Sequence, residues 1–155
     1  MGADTVVTLD GSVLGQPVNF DDAAAMLRRL SGRVHSVVSS VCVIAPDGRR
    51  EVATAVSRVS FATLTEAEIR EYIHTGEPFD KAGAYAIQGA ASRFTELRRG
   101  DLDTVVGLSL RRLTAALRRL GYPLPLVVSL PRRAVREGKL AHASLRAVPV
   151  RAHPH

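Results

Sequence analysis

Two apolar-rich stretches around an Asp-Gly pair constrain the fold of this chain more than any other feature. The segment "RVHSVVSSVCVIAPDGRREVATAVSRVSFATL" reads as two long strands folded around Asp47-Gly48. Along its first half, Val34, Ser36 and Val38 alternate with His35, Val37 and Ser39. That alternation is imperfect, which predicts a sheet with both faces partly covered.

The flanking segments supply helices to cover it. "TVVTLDGSVLG" reads as a hairpin turning at Asp10-Gly11, with its first strand beginning at Thr5 and Asp4 at the strand mouth. "NFDDAAAMLRRLSG" reads as a helix. Asn19 or Asp21 caps it, acids fill its first turn, Arg28 and Arg29 fill its last, and Gly32 stops it. Ala23, Met26, Leu27 and Leu30 form its apolar face. "TEAEIREYIHTGEP" is a second helix, opened by the capping-box spacing of Thr65 and Glu68 and closed by Gly76 and Pro78. "SRFTELRRG" reads as a strand, and "LSLRRLTAALRRLG" as a third amphipathic helix. Its apolar face is Leu110, Leu113, Ala116, Leu117 and Leu120, and Gly121 is its stop. Strands interleaved with helices give an α/β or α+β class.

Charge is distributed unevenly. The net charge is +6, but residues 1–120 hold 15 Lys+Arg against 14 Asp+Glu, whereas residues 121–155 hold 6 against 1. The basic excess therefore sits in the C-terminal segment, which also has five of the eight prolines. This shift predicts a domain over 1–121 and a basic, proline-rich, flexible tail over 122–155, in which "PLVVSL" is a candidate strand. The tail histidines, His142, His153 and His155, are too unevenly spaced to read as a metal site. The balanced charge of the domain argues against a specific nucleic-acid partner. No apolar run approaches 18 residues, so no transmembrane helix is expected. The N-terminus lacks the basic and small-residue marks of a signal peptide. The single Cys42 excludes an internal disulfide or a cysteine-based zinc site and points to a reducing, cytoplasmic setting.

One stretch resists a purely structural reading. "DKAGAYAIQG", residues 80–89, keeps one of only two lysines in the chain beside two glycines and an amide. Taken with "GADTVVTLDG", "LGQPVNFDDAAAMLRRLSGRVHSV" and "VVGLSLRRLTAALRRLG", it resembles the Maf proteins, septum-formation-inhibitor-like nucleoside triphosphate pyrophosphatases. The similarity is collinear from Gly2 to about Gly121. It implies an α/β fold with a mixed central sheet, flanking helices and a nucleotide cleft. It also implies hydrolysis of a nucleoside triphosphate to the monophosphate and pyrophosphate with a divalent cation, Mg or Mn. The motifs "ADT" and "LDG" look most like the branch acting on dTTP, UTP and modified nucleotides.

Carried over residue by residue, the resemblance makes Asp4 the proton acceptor. It associates Thr5 and Gln88 with choice of base and sets Lys81 among the phosphate-facing groups. It assigns no metal ligand. These residue types suit the chemistry. A carboxylate can take a proton from the attacking water, a lysine offsets phosphate charge, and an amide both donates to and accepts from a pyrimidine edge. Four other polar residues have structural readings: His35 as a strand histidine, Ser39 as sheet filling, Glu77 as a loop residue and Cys42 as inert core.

The sequence departs from the family pattern twice. The resemblance begins at "GADT", so the chain is expected to lack the family's first strand, its S-x-S-P-R phosphate loop and the following helix. Gln16 in "LGQP" stands where the family has lysine. One lost charge-assisted contact costs about 1.5–3 kcal/mol, whereas a lost loop removes several. The competing expectation is therefore a weakly active or inactive nucleotide-binding, regulatory fragment. A third is an interaction protein pairing through an exposed face, which leaves a homodimer open.

Overall fold

The computed structural model describes residues 1–122. The expected tail, with its "PLVVSL" strand and three histidines, lies outside the described residues. The chain opens with β1 (Gly2–Leu9) and β2 (Ser12–Leu14), paired antiparallel with Leu9 opposite Ser12. Asp10 and Gly11 both take positive φ, 51° and 76°. This is the two-residue hairpin turn whose twist matches that of its strands.

The start of β1 differs from expectation. Gly2 pairs with Cys42 and Ala3 with Val41, so the strand begins before Thr5 and Asp4 lies inside it opposite Ser40. The reason is tertiary: β3 extends far enough to template the extra residues.

That template is β3 (Val34–Ile44), which pairs along its whole length with β4 (Arg50–Phe61), from Val34 opposite Ser60 to Ile44 opposite Arg50. Gly48 closes the connection at φ 86°. β5 (Thr95–Arg99) completes a five-stranded antiparallel sheet ordered β2-β1-β3-β4-β5. On β3 the odd positions His35, Val37, Ser39, Val41 and Val43 are buried, while Ser36, Val38, Ser40 and Cys42 are half-buried. Only the odd face is covered among the described residues, against expectation: Val52 and Val56, paired with Cys42 and Val38 on the even face, are 60% and 55% exposed. Cys42 is a correction: it sits on the face opposite Val41 and Val43, outside the core.

The helices cover the odd face. α1 (Phe20–Leu30) starts where the Asn19 side chain accepts from the Asp22 N–H, at 2.8 Å. α2 (Glu66–His74) has the full capping box of Thr65 and Glu68. Such caps are worth about 1 kcal/mol each. Leu27, Leu30, Ile69, Tyr72 and Ile73 pack with Val7, Val37, Val59 and Phe61 into the main core.

A smaller cluster forms where Ala116 and Leu120 meet Val41, Val43 and Ala53. Ala116 lies on α4 (Leu110–Arg119), which follows the short α3 (Leu102–Val106) and is the last helix among the described residues, and Leu120 is its C-cap. Leu110, assigned to its apolar face, is 44% exposed. Between α2 and β5 the chain makes three short 3-10 turns, at Glu77–Asp80, Ala82–Ala84 and Ala90–Arg93. The expected class holds, a sheet with flanking helices. No helix among the described residues is long and apolar enough to cross a membrane.

Candidate active site

β2 pairs only with Val7–Leu9, which leaves the first half of β1 as a free edge. A cleft of about 260 Å³ opens beside it, lined by Asp4, Thr5, Gln16, Asp80, Lys81, Tyr85 and Val105–Gly107 among others. The cleft brings together three of the four residues assigned from sequence, Asp4, Thr5 and Lys81. Gln88 is exposed and is not part of this wall; it sits on the turn that follows Tyr85.

The Lys81 segment is placed by backbone geometry. Gly83 has φ 72°, and its N–H donates to the Gly15 carbonyl at 2.9 Å. A Cβ on Gly83 would come within 3.0 Å of the Val7 side chain, so only glycine lets this segment lie so close to β1. Ala84 follows at φ 61°, a conformation that costs a residue with a Cβ roughly 1–2 kcal/mol. Gln16 ties the same segment from the other side, its Nε2 donating to the Asp80 carbonyl at 3.2 Å.

On the rim, the charged groups hold exchangeable partners. Asp4 is exposed, and its Oδ1 accepts from the Thr5 N–H at 2.8 Å. Lys81 is 41% exposed and pairs with Asp80 through a 2.7 Å contact. The hydrogen bond from Lys81 holds the Asp80 carboxyl below its ordinary range. Exposed pairs of this kind contribute little to stability, so an incoming phosphate can compete for Lys81. Thr5 is half-buried. Its hydroxyl donates to the Gly107 carbonyl at 3.1 Å, beside Ser39, which donates to the same oxygen at 3.0 Å. Ser39 therefore holds a loop to the sheet in addition to filling it.

Beneath the rim lies a buried polar pair. His35 and Tyr85, both buried, share a 2.7 Å hydrogen bond between Nε2 and the phenol oxygen. Phe61 packs edge-on against Tyr85 at 4.9 Å between centroids. Burial pushes the His35 pKa down to about 4 and raises that of Tyr85 well above its ordinary value. His35 is thus neutral near pH 7 and structural, as its strand position predicted. The sequence reading did not foresee its partner: Tyr85 lines the cleft and is 50 residues away along the chain.

Glu77 also takes the loop role expected of it, accepting from the Tyr72 hydroxyl at 2.7 Å and the Ala90 N–H at 2.9 Å. Tyr72 carried no assignment from the sequence, because its polar contact depends on how the segment after α2 folds back onto the helix.

Among the described residues no group of three or more His, Cys, Asp or Glu side chains is placed to hold a metal. The carboxylates on the cleft wall are Asp4 and Asp80. This set fits Mg or Mn held in the usual way for phosphate substrates, by one or two carboxylates plus phosphate oxygens.

A mixed α/β fold with an acid and a lysine on one cleft defines a class of protein, and the family is established by comparison. The chain belongs to the Maf family: the model described as Maf-like protein matches residues 1–120. It is 50% identical over 124 residues to a dTTP/UTP pyrophosphatase of Hahella chejuensis, covering 80% of this chain and 61% of that protein. It is 51% identical over 128 residues to one from Anaeromyxobacter dehalogenans, covering 81% and 66%. A protein of the same name from Dictyoglomus thermophilum is 48% identical over 125 residues, covering 80% and 65%. The chain thus spans between three-fifths and two-thirds of the length of these curated relatives.

Proposed function

We propose that the protein hydrolyses a nucleoside triphosphate of the dTTP or UTP type to the monophosphate and pyrophosphate. The observation that carries this reading is the convergence of Asp4 and Lys81 on one cleft, in a chain half identical to proteins named for that reaction. The Asp4 carboxylate accepts the proton of a water whose oxygen bonds to the α-phosphorus. The bridging oxygen between the α- and β-phosphorus leaves with pyrophosphate. Lys81 turns from Asp80 to the phosphates and offsets the charge that develops there. The Thr5 hydroxyl keeps its lone pairs for the base, and the Gln88 amide both donates to and accepts from a pyrimidine edge.

Asp4 and Asp80, together with the substrate phosphates, would hold a Mg or Mn ion, which would supply charge neutralisation and a more acidic water. The lone Cys42 suits a reducing compartment, and we place the protein in the cytoplasm.

The test is product analysis with dTTP and UTP in the presence of Mg or Mn. Equal amounts of nucleoside monophosphate and pyrophosphate are expected. Release of orthophosphate with a nucleoside diphosphate would contradict the assignment.

A further inference from the structure

The turn that carries Gln88 is held by a clamp none of whose parts touches the cleft. The turn runs from Ala86 to Gly89, closed by the Gly89 N–H donating to the Ala86 carbonyl at 3.0 Å. Ile87 and Gln88 are its two central residues. Both flanks of the turn are tied to one pair of side chains. The Ala86 N–H donates to the Tyr72 hydroxyl at 3.2 Å, and the Ala90 N–H donates to Glu77 Oε2 at 2.9 Å. The Tyr72 hydroxyl in turn donates to Glu77 Oε1 at 2.7 Å, which makes the two side chains a single bracket.

Space gives a second, independent mark. A Cβ on Gly89 would overlap the Glu77 carboxylate. The φ of Gly89 is −94°, so the left-handed region is not what calls for glycine there. It is the carboxylate pressed against the backbone. Among the described residues the Gln88 amide has no side-chain hydrogen-bond partner. The turn fixes where its Cα–Cβ bond departs, and Glu77 and Tyr72 tie the flanks of that turn.

We infer that Glu77 is a positioning residue for nucleobase selection, acting through Tyr72 and the Ala86–Ala90 turn to fix where Gln88 presents its amide. The inference rests on the proposed reading of Gln88 as a base-contacting group. It assigns Glu77 no contact with the substrate. A carboxylate suits the task because bonds to an ionised acceptor are shorter and roughly twice as strong as neutral ones. It can also accept from the phenol and the amide N–H at once.

The experiment measures binding rather than turnover. Dissociation constants are determined by calorimetry for the non-hydrolysable α,β-imido analogues of dUTP and dCTP on wild type, Glu77→Ala, Glu77→Gln, Gly89→Ala, Gln88→Ala and the Glu77→Ala/Gln88→Ala double variant. Wild type is expected to prefer the uracil analogue. Glu77→Ala, Gly89→Ala and Gln88→Ala should each lower that preference about tenfold, and Glu77→Gln by less, because its amide oxygen still accepts. The double variant should lose no more than either single one, the mark of two residues acting as a unit. Gly89→Ala keeps Glu77 in the sequence but drives its carboxylate off the turn, so it carries the test if Glu77→Ala does not fold. Two results overturn the inference alone: a preference retained in Glu77→Ala and Gly89→Ala while Gln88→Ala loses it, or losses that add in the double variant. A wild type that prefers neither base overturns the Gln88 reading and the inference with it. A wild type that binds neither analogue overturns the proposed function itself.

Discussion

The rim of the cleft and the layer beneath it use polar groups in opposite ways. On the rim, Asp4 and Lys81 lie at or near the surface, with partners they can exchange: a neighbouring N–H for Asp4 and an exposed carboxylate for Lys81. Below, His35 and Tyr85 are buried against aromatic rings, and Tyr72 and Glu77 bracket a turn. The groups proposed to meet a charged substrate lie where their present partners contribute little. Groups that fix geometry are kept where losing a partner leaves a buried donor or acceptor unpaired, at about 1–3 kcal/mol each. Function and stability should therefore separate when each layer is altered.

The sharpest break is expected at Asp4. Asp4→Asn should lower pyrophosphate release by a factor on the order of 10²–10⁴, the usual contribution of a positioned general base. Its unfolding free energy, from urea titration, should stay within about 0.5 kcal/mol of wild type. A large stability loss with activity retained would place Asp4 in the scaffold.

The mirror experiment is His35→Ala. Removing the ring opens a cavity and strands the Tyr85 hydroxyl, so a loss of about 3 kcal/mol is expected in the same urea titration.

Acid should probe the same layer without mutation. The His35 pKa falls from 6.5 to about 4 on folding. Between those values the unfolded chain binds the proton that the folded chain refuses. The contribution of neutral His35 is complete above about pH 6.5 and is lost as pH falls toward 4, up to about 3 kcal/mol in all. His35→Phe should flatten this part of the stability profile. A profile equally steep in the variant would show that other groups set it.

A smaller effect belongs to the rim lysine. Lys81→Ala should reduce kcat/KM about tenfold to a hundredfold, the value of one charge-assisted contact, and leave the melting temperature nearly unchanged. The smallest change is expected at Gln16. Gln16→Lys places a second cation on the cleft wall and should tighten triphosphate binding up to about tenfold, with a stronger dependence on salt.

Much of the fold could be read locally. Asp10-Gly11 and Asp47-Gly48 mark turns because their residues accept positive φ, and Thr65 with Glu68 marks a helix start by reciprocal capping. α3 escaped notice because five residues are too few to display a helical period. What orders it and the start of α4 is the Asp103 carboxylate, which accepts from the Thr104 and Leu110 N–H groups at 2.8 Å each. The start of β1 was misplaced because strand length depends on the partner strand: Gly2 pairs with Cys42, far along the chain, and no local pattern carries that pairing.

The site divides in the same way. Asp4, Thr5 and Lys81 were named through a resemblance of motifs, and the fold sets them on one cleft. The pairings His35–Tyr85 and Glu77–Ala90 depend on how distant segments pack, and no spacing within either segment announces them.

The most direct test of the account is to follow backbone amide resonances by NMR while the protein is titrated with α,β-imido-dUTP and Mg. The account predicts shifts concentrated at Ala3–Thr5, at Lys81–Ala82 and along the Ala86–Ala90 turn, with the middle of β4, around Val52 and Val56 and two strands away from the β1 edge, unmoved. Shifts centred on that part of β4, with the β1 edge and Lys81 silent, would contradict it.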